Sequence, residues 1–440
     1  MPLQFLKRSN KTPASGSDDV RETVARMLTD LELGGEECAR RYARDLDHWH
    51  GDIVVTPQAR AAAGQLVPDR LRDDIRMAHK NVLRFAAAQR RAILDTEIEV
   101  LPGLVAGHRN LPLASAGCYV PGGRYAHIAS AIMSVTTAKA AGVSHIVACS
   151  PPLSPSGIHP ASLYALDVCG ADVVLNLGGV PAIAALAFGL FGNRPADIIV
   201  GPGNQYVAEA KRSLFGRVAI DMFAGPTESA IIADASTDPE IAAADLVGQA
   251  EHGHNSPVWL ISLDRTVAER IMELVNVYIA ELPLPNRTSA ADAWRDYAEV
   301  VVADTREEAV QASDRYAPEH LQVLCSDLDW WHGALQNYGS LFLGTETTVA
   351  FGDKVSGPNH ILPTMQAARY TGGLSVGKFL KTVTWQRMTR EANRLIAPVC
   401  ARISRAEGME GHARCADIRL AKWFPDERFD LAINELSEMK

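Results

Sequence analysis

The chain has 440 residues, which is too long for one ordinary hydrophobic core, so we expect two or three domains. Hydrophobic residues make up 47% of the sequence and charged residues 22%, the balance of a soluble globular protein. The formal net charge is −9 and no block of Lys or Arg is present, which argues against nucleic acid or a membrane surface as the main partner.

The cysteines and the N-terminal segment narrow the class further. The seven cysteines are scattered and contain no Cys-x-x-Cys pair, which argues against a disulfide framework and against a thiolate zinc site. The first residues contain no apolar run long enough for a signal peptide or a membrane span. A cytoplasmic location is therefore expected.

Taken in order, the predicted elements indicate an α/β protein. Residues 1–19 are polar and predict a flexible tail, whereas helical periodicity dominates from Val20 to about Ile93. Apolar strands alternate with Ala-rich helices from about 113 to 227, and again from about 228 to 364. This alternation predicts parallel sheets covered on both faces, with ligands at the carboxyl ends of strands, where the glycine turns of the first region fall.

We therefore predict two Rossmann-like αβα domains with parallel-sheet cores. Residues 20–118 and 227–370 are assigned to the first domain, and residues 119–226 to the second. Residues 371–440 are predicted to form a small helical C-terminal tail region, too thin to carry a core of its own.

The segment STDPEIAAADLVGQAEHGHNS predicts a helix capped by Ser236 or Thr237 and ending near Glu251. Gln249 and His252 then share one face at its open end. A Gln carbonyl and an imidazole are both plausible metal donors. The alternative is a C-terminal His that interacts favourably with the helix dipole.

The segment DRYAPEHLQV places Glu319 and His320 side by side after Pro318. An adjacent acid and imidazole suit proton transfer near neutral pH, provided that the backbone is loop-like there. The alternative is a solvated helix start.

Two further segments contain clusters of polar residues. VAFGDKVSGPNHILPT predicts a shaped loop that holds Asp353, Lys354 and His360, with a plain connection as the alternative. In RAEGMEGHARCADIR, Glu407 and His412 flank two glycines, in a stretch that could instead be a solvated terminus.

The segment IVGPGNQYVAEAKRSLFG places a Gly-Pro-Gly-Asn turn between a strand and a helix, where backbone N–H groups could hold phosphate. The turn is not Gly-x-Gly-x-x-Gly, so the standard dinucleotide fingerprint is absent. The alternative is a tight turn whose backbone simply requires glycine. Tyr119 could contact a nucleotide or be a core aromatic residue.

Taken together, the segments CYVPGG, GPGN, DMFAGPTE, QAEHG, APEHL, SGPNHILPT and EG-x-x-x-H resemble the histidinol dehydrogenase family, in family order from about residue 25 to 425. The resemblance implies an NAD-linked dehydrogenase with one zinc ion per subunit, which oxidises a primary alcohol through an aldehyde to a carboxylate. It also implies an intertwined homodimer.

The resemblance further assigns roles to individual residues. The zinc ligands would be Gln249, His252, Asp353 and His412, with His412 coming from the partner subunit, and the acid–base pair would be Glu319 and His320. Substrate contacts would fall on Thr227, His360 and Glu407, and nucleotide contacts on Tyr119 and Asn204.

Two positions depart from the biosynthetic members of the family. Val349 stands where they have Glu, and Lys354 where they have Tyr, so the local charge moves by about two units toward an anionic substrate. These differences resemble the sulfopropanediol 3-dehydrogenase branch, which oxidises 2,3-dihydroxypropane-1-sulfonate to 3-sulfolactate. Lys354, helped by Arg124 or His127, would then contact the sulfonate, whereas Lys354 pointing to solvent and Val349 in packing is the alternative.

Other functions stay open at this point. Histidinol or another polyol could be the substrate. A zinc hydrolase could use the same donors without a nucleotide, and a non-catalytic nucleotide-binding protein would not need Glu319.

Overall fold

The computed structural model describes residues 3–12, 18–122, 126–153, 156–222 and 225–432. Contacts divide the chain into two compact units. Unit 1 comprises residues 1–92 and 112–379, and unit 2 comprises residues 93–111 and 380–440.

Strands form three sheets. They are β1 (Gln4–Lys7), β2 (Thr96–Leu101), β3 (Leu104–Pro112), β4 (Ser115–Tyr119), β5 (His145–Ser150), β6 (Val173–Asn176), β7 (Ile198–Val200), β8 (Ala219–Ile220), β9 (Ser229–Ala233), β10 (Val258–Ser262), β11 (Glu299–Val302), β12 (His320–Val323), β13 (Ser340–Leu343) and β14 (Leu380–Met388).

Helices connect most of these strands. They are α1 (Asp18–Asp47), α2 (Pro57–Leu66), α3 (Asp69–Ala92), α4 (Ile128–Ala141), α5 (Pro160–Val168), α6 (Gly179–Phe188), α7 (Gln205–Leu214), α8 (Pro239–Ala250), α9 (Arg265–Glu281), α10 (Asn286–Asp296), α11 (Arg306–Tyr316), α12 (Leu328–Ala334), α13 (Val349–Lys354), α14 (Arg390–Ala406) and α15 (Glu410–Trp423). Within the described part of the chain, no helix has both the length and the apolar character that crossing a bilayer requires.

Sheet A lies in unit 1 with the strand order β1-β11-β10-β9-β12-β13, and all of its pairs are parallel except β1 with β11. Residues such as Ile231 and Leu260 pack against α8 and α9, whereas Ala230 and Leu321 face the core on the side of α11 and α12. Apolar side chains on both faces are what a parallel sheet between two helical layers requires. The predicted α/β class is confirmed.

Sheet B, also in unit 1, is parallel and has the order β6-β5-β4-β7-β8. Here the structure differs from the predicted boundaries, which place residues 20–118 with sheet A. Helix α1 packs against α6 and α7, and α3 packs against α4. The reason is the apolar stripe of α1, which includes Val24 and Leu31 and is buried in the same core as Ile183 and Leu186 of α6.

The N-terminal segment also differs from the predicted flexible tail of residues 1–19. Residues Gln4–Lys7 form β1, which extends sheet A by antiparallel pairing with β11. The hydroxyl of Ser9 donates to Glu299 at 2.7 Å, and the amide of Asn10 donates to the carbonyl of Asp296 at 2.8 Å. Backbone pairing with a strand almost 300 residues away leaves no signal in a short polar segment.

Unit 2 differs from the predicted helical tail of residues 371–440. Its nine-residue strand β14 belongs to sheet C, with the order β14-β3-β2, and residues 371–379 belong to unit 1. Helices α14 and α15 pack against each other. Unit 2 therefore has a small core of its own, formed by Ala397, Ala401, Ala413, Ala416 and Leu420.

Candidate active site

The candidate acid–base pair lies at the amino end of β12, in the middle of unit 1. His320 is the first residue of β12, and Glu319 precedes it after Ala317, which adopts a left-handed conformation (φ 47°). This irregular backbone is the loop-like geometry that two adjacent side chains need in order to reach one site. Oε2 of Glu319 lies 3.6 Å from Nδ1 of His320, and both residues are buried.

The backbone of Glu228 holds both members of the pair. Its N–H donates to Oε2 of Glu319 at 3.0 Å, and its carbonyl accepts from the N–H of His320 at 3.2 Å. Nδ1 of His320 also lies 3.2 Å from that carbonyl, which can only accept, so Nδ1 carries a proton. Nε2 of His320 then faces Asp353, with 3.5 Å to Oδ1.

Burial and neighbouring charges shift the pKa values of these groups. Burial raises the pKa of Glu319 to about 7, against the charge of His320. Burial alone would lower the pKa of His320, but the negative charges of Glu319 and Asp353 raise it to about 9. Burial also raises the pKa of Glu228 to about 8. The site thus holds two carboxyls and an imidazole with pKa values between about 7 and 9, so protons can move between them near neutral pH, which suits acid–base chemistry.

Two of the predicted metal donors lie at the C-terminal end of α8. This helix begins with Asp238 as its N-cap and not with Ser236 or Thr237, because the hydroxyl of Thr237 donates to the carbonyl of Leu324 instead. Helices that cover a parallel sheet run against its strands, so the end of α8 returns to the amino end of β12. The amide of His252 donates to the carbonyl of Gln249 at 3.3 Å.

The third predicted donor, Asp353, lies in the short helix α13, which replaces the first part of the predicted loop. Its Oδ2 lies 3.9 Å from Nε2 of His252. Burial would raise the pKa of Asp353, but the hydrogen bond and charge of His320 and the charges of His360 and His252 hold it at about 2. Asp353 is therefore an anion among imidazoles.

These side chains fit a divalent metal ion with nitrogen and oxygen ligands. Oε1 of Gln249 is buried and makes no hydrogen bond with the described residues, which leaves a carbonyl oxygen for a ligand. An amide oxygen, an imidazole and a carboxylate are ordinary donors for zinc. Within the described ranges, no three His, Cys, Asp or Glu side chains form a metal-binding group. Of the four predicted donors, Gln249 is not one of these residue types, and His412 belongs to unit 2.

His360 and Lys354 lie beside this cluster. Nδ1 of His360 lies 2.7 Å from the carbonyl oxygen of Asp353, and its Nε2 lies 3.2 Å from the hydroxyl of Ser130. Burial lowers the pKa values of His127, His252 and His360, and that of His127 falls to about 4. The positive charge of Lys354 adds to each of these shifts. Lys354 is exposed to solvent, yet its charge acts on all three imidazoles.

Val349 and Thr227 also lie in this part of unit 1. Val349 is buried in the first turn of α13, four residues before Asp353. Thr227 immediately precedes Glu228 and is half-buried. Arg124, the other cation considered for substrate contact, lies outside the described residues.

The two predicted nucleotide contacts lie at the carboxyl edge of sheet B, on either side of a tight turn. Tyr119 ends β4, and Asn204 caps α7 after β7, with its side chain accepting from the amides of Tyr206 and Val207. The hydroxyl of Tyr119 accepts from the amide of Gly179 at 3.3 Å. Gly201 has φ 118°, and a Cβ there would lie 1.9 Å from the carbonyl oxygen of Tyr119, so this turn requires glycine.

Glu407 and His412 lie in unit 2. Glu407 caps the C-terminus of α14, and His412 lies in the first turn of α15. Both are exposed.

The structure also reveals residues that the sequence analysis missed. Glu228 organises the acid–base pair through its backbone, and Ser130 contacts His360. Glu228 falls inside the DMFAGPTE segment, so its place beside Thr227 was a signal for its side chain. A backbone role and a contact across 230 residues leave no local signal.

Comparisons with known proteins identify the family of the chain. The family model described as Histidinol dehydrogenase matches residues 10–420. The chain belongs to the histidinol dehydrogenase family. As a member of this family the protein is a dehydrogenase, as expected.

Individual relatives cover nearly the whole chain. A protein of Ruegeria pomeroyi named sulfopropanediol 3-dehydrogenase is 57% identical over 99% of this chain and 100% of its own length. A second Ruegeria pomeroyi protein, named histidinol dehydrogenase homolog, is 59% identical over 97% of this chain and 99% of its own. The crystal structure of histidinol dehydrogenase from Elizabethkingia anophelis superposes with a TM-score of 0.89 at 33% identity, over 94% of this chain and 95% of that one.

Proposed function

We propose that this protein is a zinc-dependent, NAD-linked dehydrogenase that oxidises a primary alcohol through an aldehyde to a carboxylate. The observation that carries the proposal is the buried Glu319–His320 pair beside Asp353, with Gln249 and His252 at the end of the adjacent helix. An acid–base pair next to a set of metal donors suits removal of a hydroxyl proton.

Gln249, His252 and Asp353 of one subunit, with His412 of the other, would hold the zinc ion. Zinc supplies a Lewis acid that polarises the substrate oxygen, and NAD accepts hydride. The unpartnered Oε1 of Gln249 and the anionic Asp353 support this assignment.

Two successive oxidations then follow from the positions of His320 and Glu319. In its neutral form, which a pKa of about 9 makes increasingly available as the pH rises, His320 accepts the hydroxyl proton at Nε2 as hydride leaves the carbinol carbon, which yields the aldehyde. Glu319 accepts a proton from the water that adds to the aldehyde, and the hydrate loses a second hydride to give the carboxylate. The balance is one alcohol, one water and two NAD⁺ consumed for one carboxylate, two NADH and three protons.

For the substrate we infer an anionic alcohol, 2,3-dihydroxypropane-1-sulfonate, with 3-sulfolactate as the product. The name of the Ruegeria pomeroyi relative at 57% identity supports this choice. So does Lys354, whose positive charge acts on His127, His252 and His360 around the site. A buried Val349 leaves no carboxylate there to repel a sulfonate.

Substrate preference tests this part of the proposal. The zinc-loaded protein is expected to reduce NAD with dihydroxypropanesulfonate and not with histidinol. Replacing Lys354 with Met should raise the KM for the sulfonate about tenfold or more, because an attractive charge is lost. Lys80→Met, at an exposed position on α3, is the control. Preference for histidinol would assign the biosynthetic activity instead, and no NADH with either alcohol would favour a zinc hydrolase.

The nucleotide is proposed to bind at the carboxyl edge of sheet B, near Tyr119 and Asn204. The N-terminus of α7 and the glycine turn before it lie at this edge, and the positive end of the helix dipole there suits phosphate. Asn204→Ala should weaken NAD binding, and isothermal titration with NAD alone measures this. Unchanged affinity would remove Asn204 from the nucleotide site.

We further propose that the protein is a homodimer in which Glu407 and His412 complete the partner's site. Leu395, Val399 and Ile403 recur every four residues along α14 and are all exposed, so unit 2 presents an apolar stripe. A second copy of the chain is the proposed cover for this stripe. Light scattering should give the mass of a dimer.

Mixed dimers test the exchange of His412 between subunits. His412→Ala and Glu319→Gln are each expected to be inactive in the complete reaction. When they are mixed by reversible unfolding, half of the dimers are heterodimers with one intact site, so about one quarter of wild-type activity should return. No recovery, with heterodimers present, would place His412 in its own subunit's site.

A further inference from the structure

A cluster of hydrogen bonds around Asp245 joins three elements close to the candidate metal site. Asp245 lies on α8 and uses both carboxylate oxygens. Oδ2 accepts from Nε2 of Gln322 at 2.7 Å, and Oδ1 accepts from the hydroxyl of Thr348 at 2.8 Å. The same Nε2 of Gln322 also donates to the carbonyl of Thr347 at 3.2 Å.

Each of the three elements carries a residue of the candidate site at a short distance along the chain. Gln249 follows Asp245 by four residues, one turn along the same face of α8. His320 precedes Gln322 by two residues, so both side chains lie on one face of β12. Gln322 pairs with Ile231, which packs on the α8 side of sheet A, so this face is the one that α8 covers.

Thr348 links α13 to α8, and its side chain makes no capping hydrogen bond to α13. Thr348 is the N-cap residue of α13, the helix of Asp353, and a threonine there ordinarily accepts from a backbone amide of the first turn. Thr348 makes no such capping bond. Its hydroxyl donates to Asp245 instead, so the start of α13 is attached to α8 and not to its own helix.

The hydrogen bonds of this cluster lie in a buried environment. Gln322 is 0% exposed, and its Nε2 has acceptors in Asp245 and Thr347, whereas its Oε1 makes no hydrogen bond with the described residues. Removing Asp245 as an acceptor would leave more of this buried amide unpaired, which is costly. Burial raises the pKa of Asp245, and the hydrogen bonds from Thr348 and Gln322 oppose that rise by stabilising the carboxylate. A charged acceptor shared by two neutral donors fixes the spacing of α8, β12 and α13.

We propose that Asp245 is a positioning residue for the metal site, which sets α8 and α13 at the separation at which Gln249, His252 and Asp353 can bind one ion. This inference rests on the proposed function, because it takes these three residues as zinc ligands. Outer residues that orient metal ligands commonly change metal affinity by about 10- to 100-fold.

Zinc affinity and the visible spectrum of the cobalt-substituted protein test the proposal. Asp245→Asn should weaken zinc binding about 10- to 100-fold in competition with a chelator, and it should alter the cobalt absorption bands. Thr348→Val, which removes the hydroxyl and keeps the shape, should act in the same direction, whereas Thr348→Ser should restore wild-type values. The thermal unfolding of the metal-free proteins shows whether each variant is folded.

The outcomes are distinct. Wild-type zinc affinity and an unchanged cobalt spectrum in both Asp245→Asn and Thr348→Val would overturn the positioning role alone. A wild-type protein that binds no zinc would overturn the proposed function, and the role of Asp245 with it. Equal losses in Thr348→Val and Thr348→Ser would also contradict the inference, because the serine keeps the hydroxyl.

Discussion

Replacing Glu319 with Gln should separate the two oxidations. Glutamine has nearly the same shape and keeps an oxygen that can accept from the amide of Glu228, a bond of 3.0 Å in the wild type. The variant should therefore fold normally. It lacks the carboxylate that accepts a proton from water, whereas His320 keeps its position 3.5 Å from Asp353.

The expected magnitude follows from the loss of a general base. Positioned proton transfer contributes about 10²- to 10⁴-fold to a rate, and a 100-fold loss corresponds to about 2.7 kcal/mol in the barrier. Oxidation of the aldehyde should slow by this factor. Oxidation of the alcohol should stay within about tenfold of wild type, because its proton goes to His320.

Stopped-flow measurement of NADH from the alcohol and from the aldehyde, each supplied separately, checks this expectation. Glu273→Gln serves as a matched control, because Glu273 is exposed on α9 and pairs only with Arg270 among the described contacts. If Glu319→Gln oxidises the aldehyde at the wild-type rate, then Glu319 is not the base for the second step.

Three further predictions concern stability. Burial raises the pKa of Glu228 to about 8, so between about pH 4.5 and pH 8 the folded protein holds a proton that the unfolded chain releases. The stability of the protein should therefore fall from about pH 5 to pH 8. Glu228→Gln should flatten that fall in thermal unfolding. Lys211 and Asp221 form a buried ion pair, so Lys211→Met should cost about 3–5 kcal/mol in denaturant unfolding, and a cost near zero would contradict this. Gly201→Ala should prevent stable folding, whereas Gly192→Ala, with no atom within 4 Å of the new Cβ, should cost about 1 kcal/mol of backbone strain; equal effects in expression and melting assays would refute the steric argument.

Much of unit 1 could be predicted because its signals are local. Strand β9, for example, is a short apolar segment followed by the Ala-rich helix α8, and that alternation is visible in the local sequence. Helix α3 begins at Asp69, directly after Pro68, and a proline and an aspartate at this point are typical of a helix start. The local sequence also predicted that Gln249 and His252 lie at the end of one helix.

Features that depend on distant contacts could not be predicted in this way. The strand β1 exists because β11 pairs with it, and α1 belongs with sheet B because of the core that it meets there. A threonine such as Thr348 is typical of a helix N-cap, yet its hydroxyl donates to Asp245. The backbone role of Glu228 has no side-chain signature at all. In each case the deciding partner lies far away in the chain.

The site of unit 1 also departs from the general rule for open α/β sheets, which places ligands at the carboxyl ends of strands. The proposed nucleotide contacts Tyr119 and Asn204 lie at the carboxyl edge of sheet B, whereas His320 begins its strand in sheet A. The candidate catalytic groups of sheet A come from the amino end of β12 and from the C-terminal ends of α8 and α13. Sequence position alone does not reveal which edge a sheet uses.

The most direct test of the proposed chemistry is the number of NADH molecules formed per alcohol consumed by the zinc-loaded protein. With 2,3-dihydroxypropane-1-sulfonate the expected ratio is two, and removal of zinc by a chelator should abolish NADH formation until zinc is restored. A ratio of one, or a rate that chelation leaves unchanged, would contradict a four-electron zinc dehydrogenase built on Glu319, His320 and Asp353.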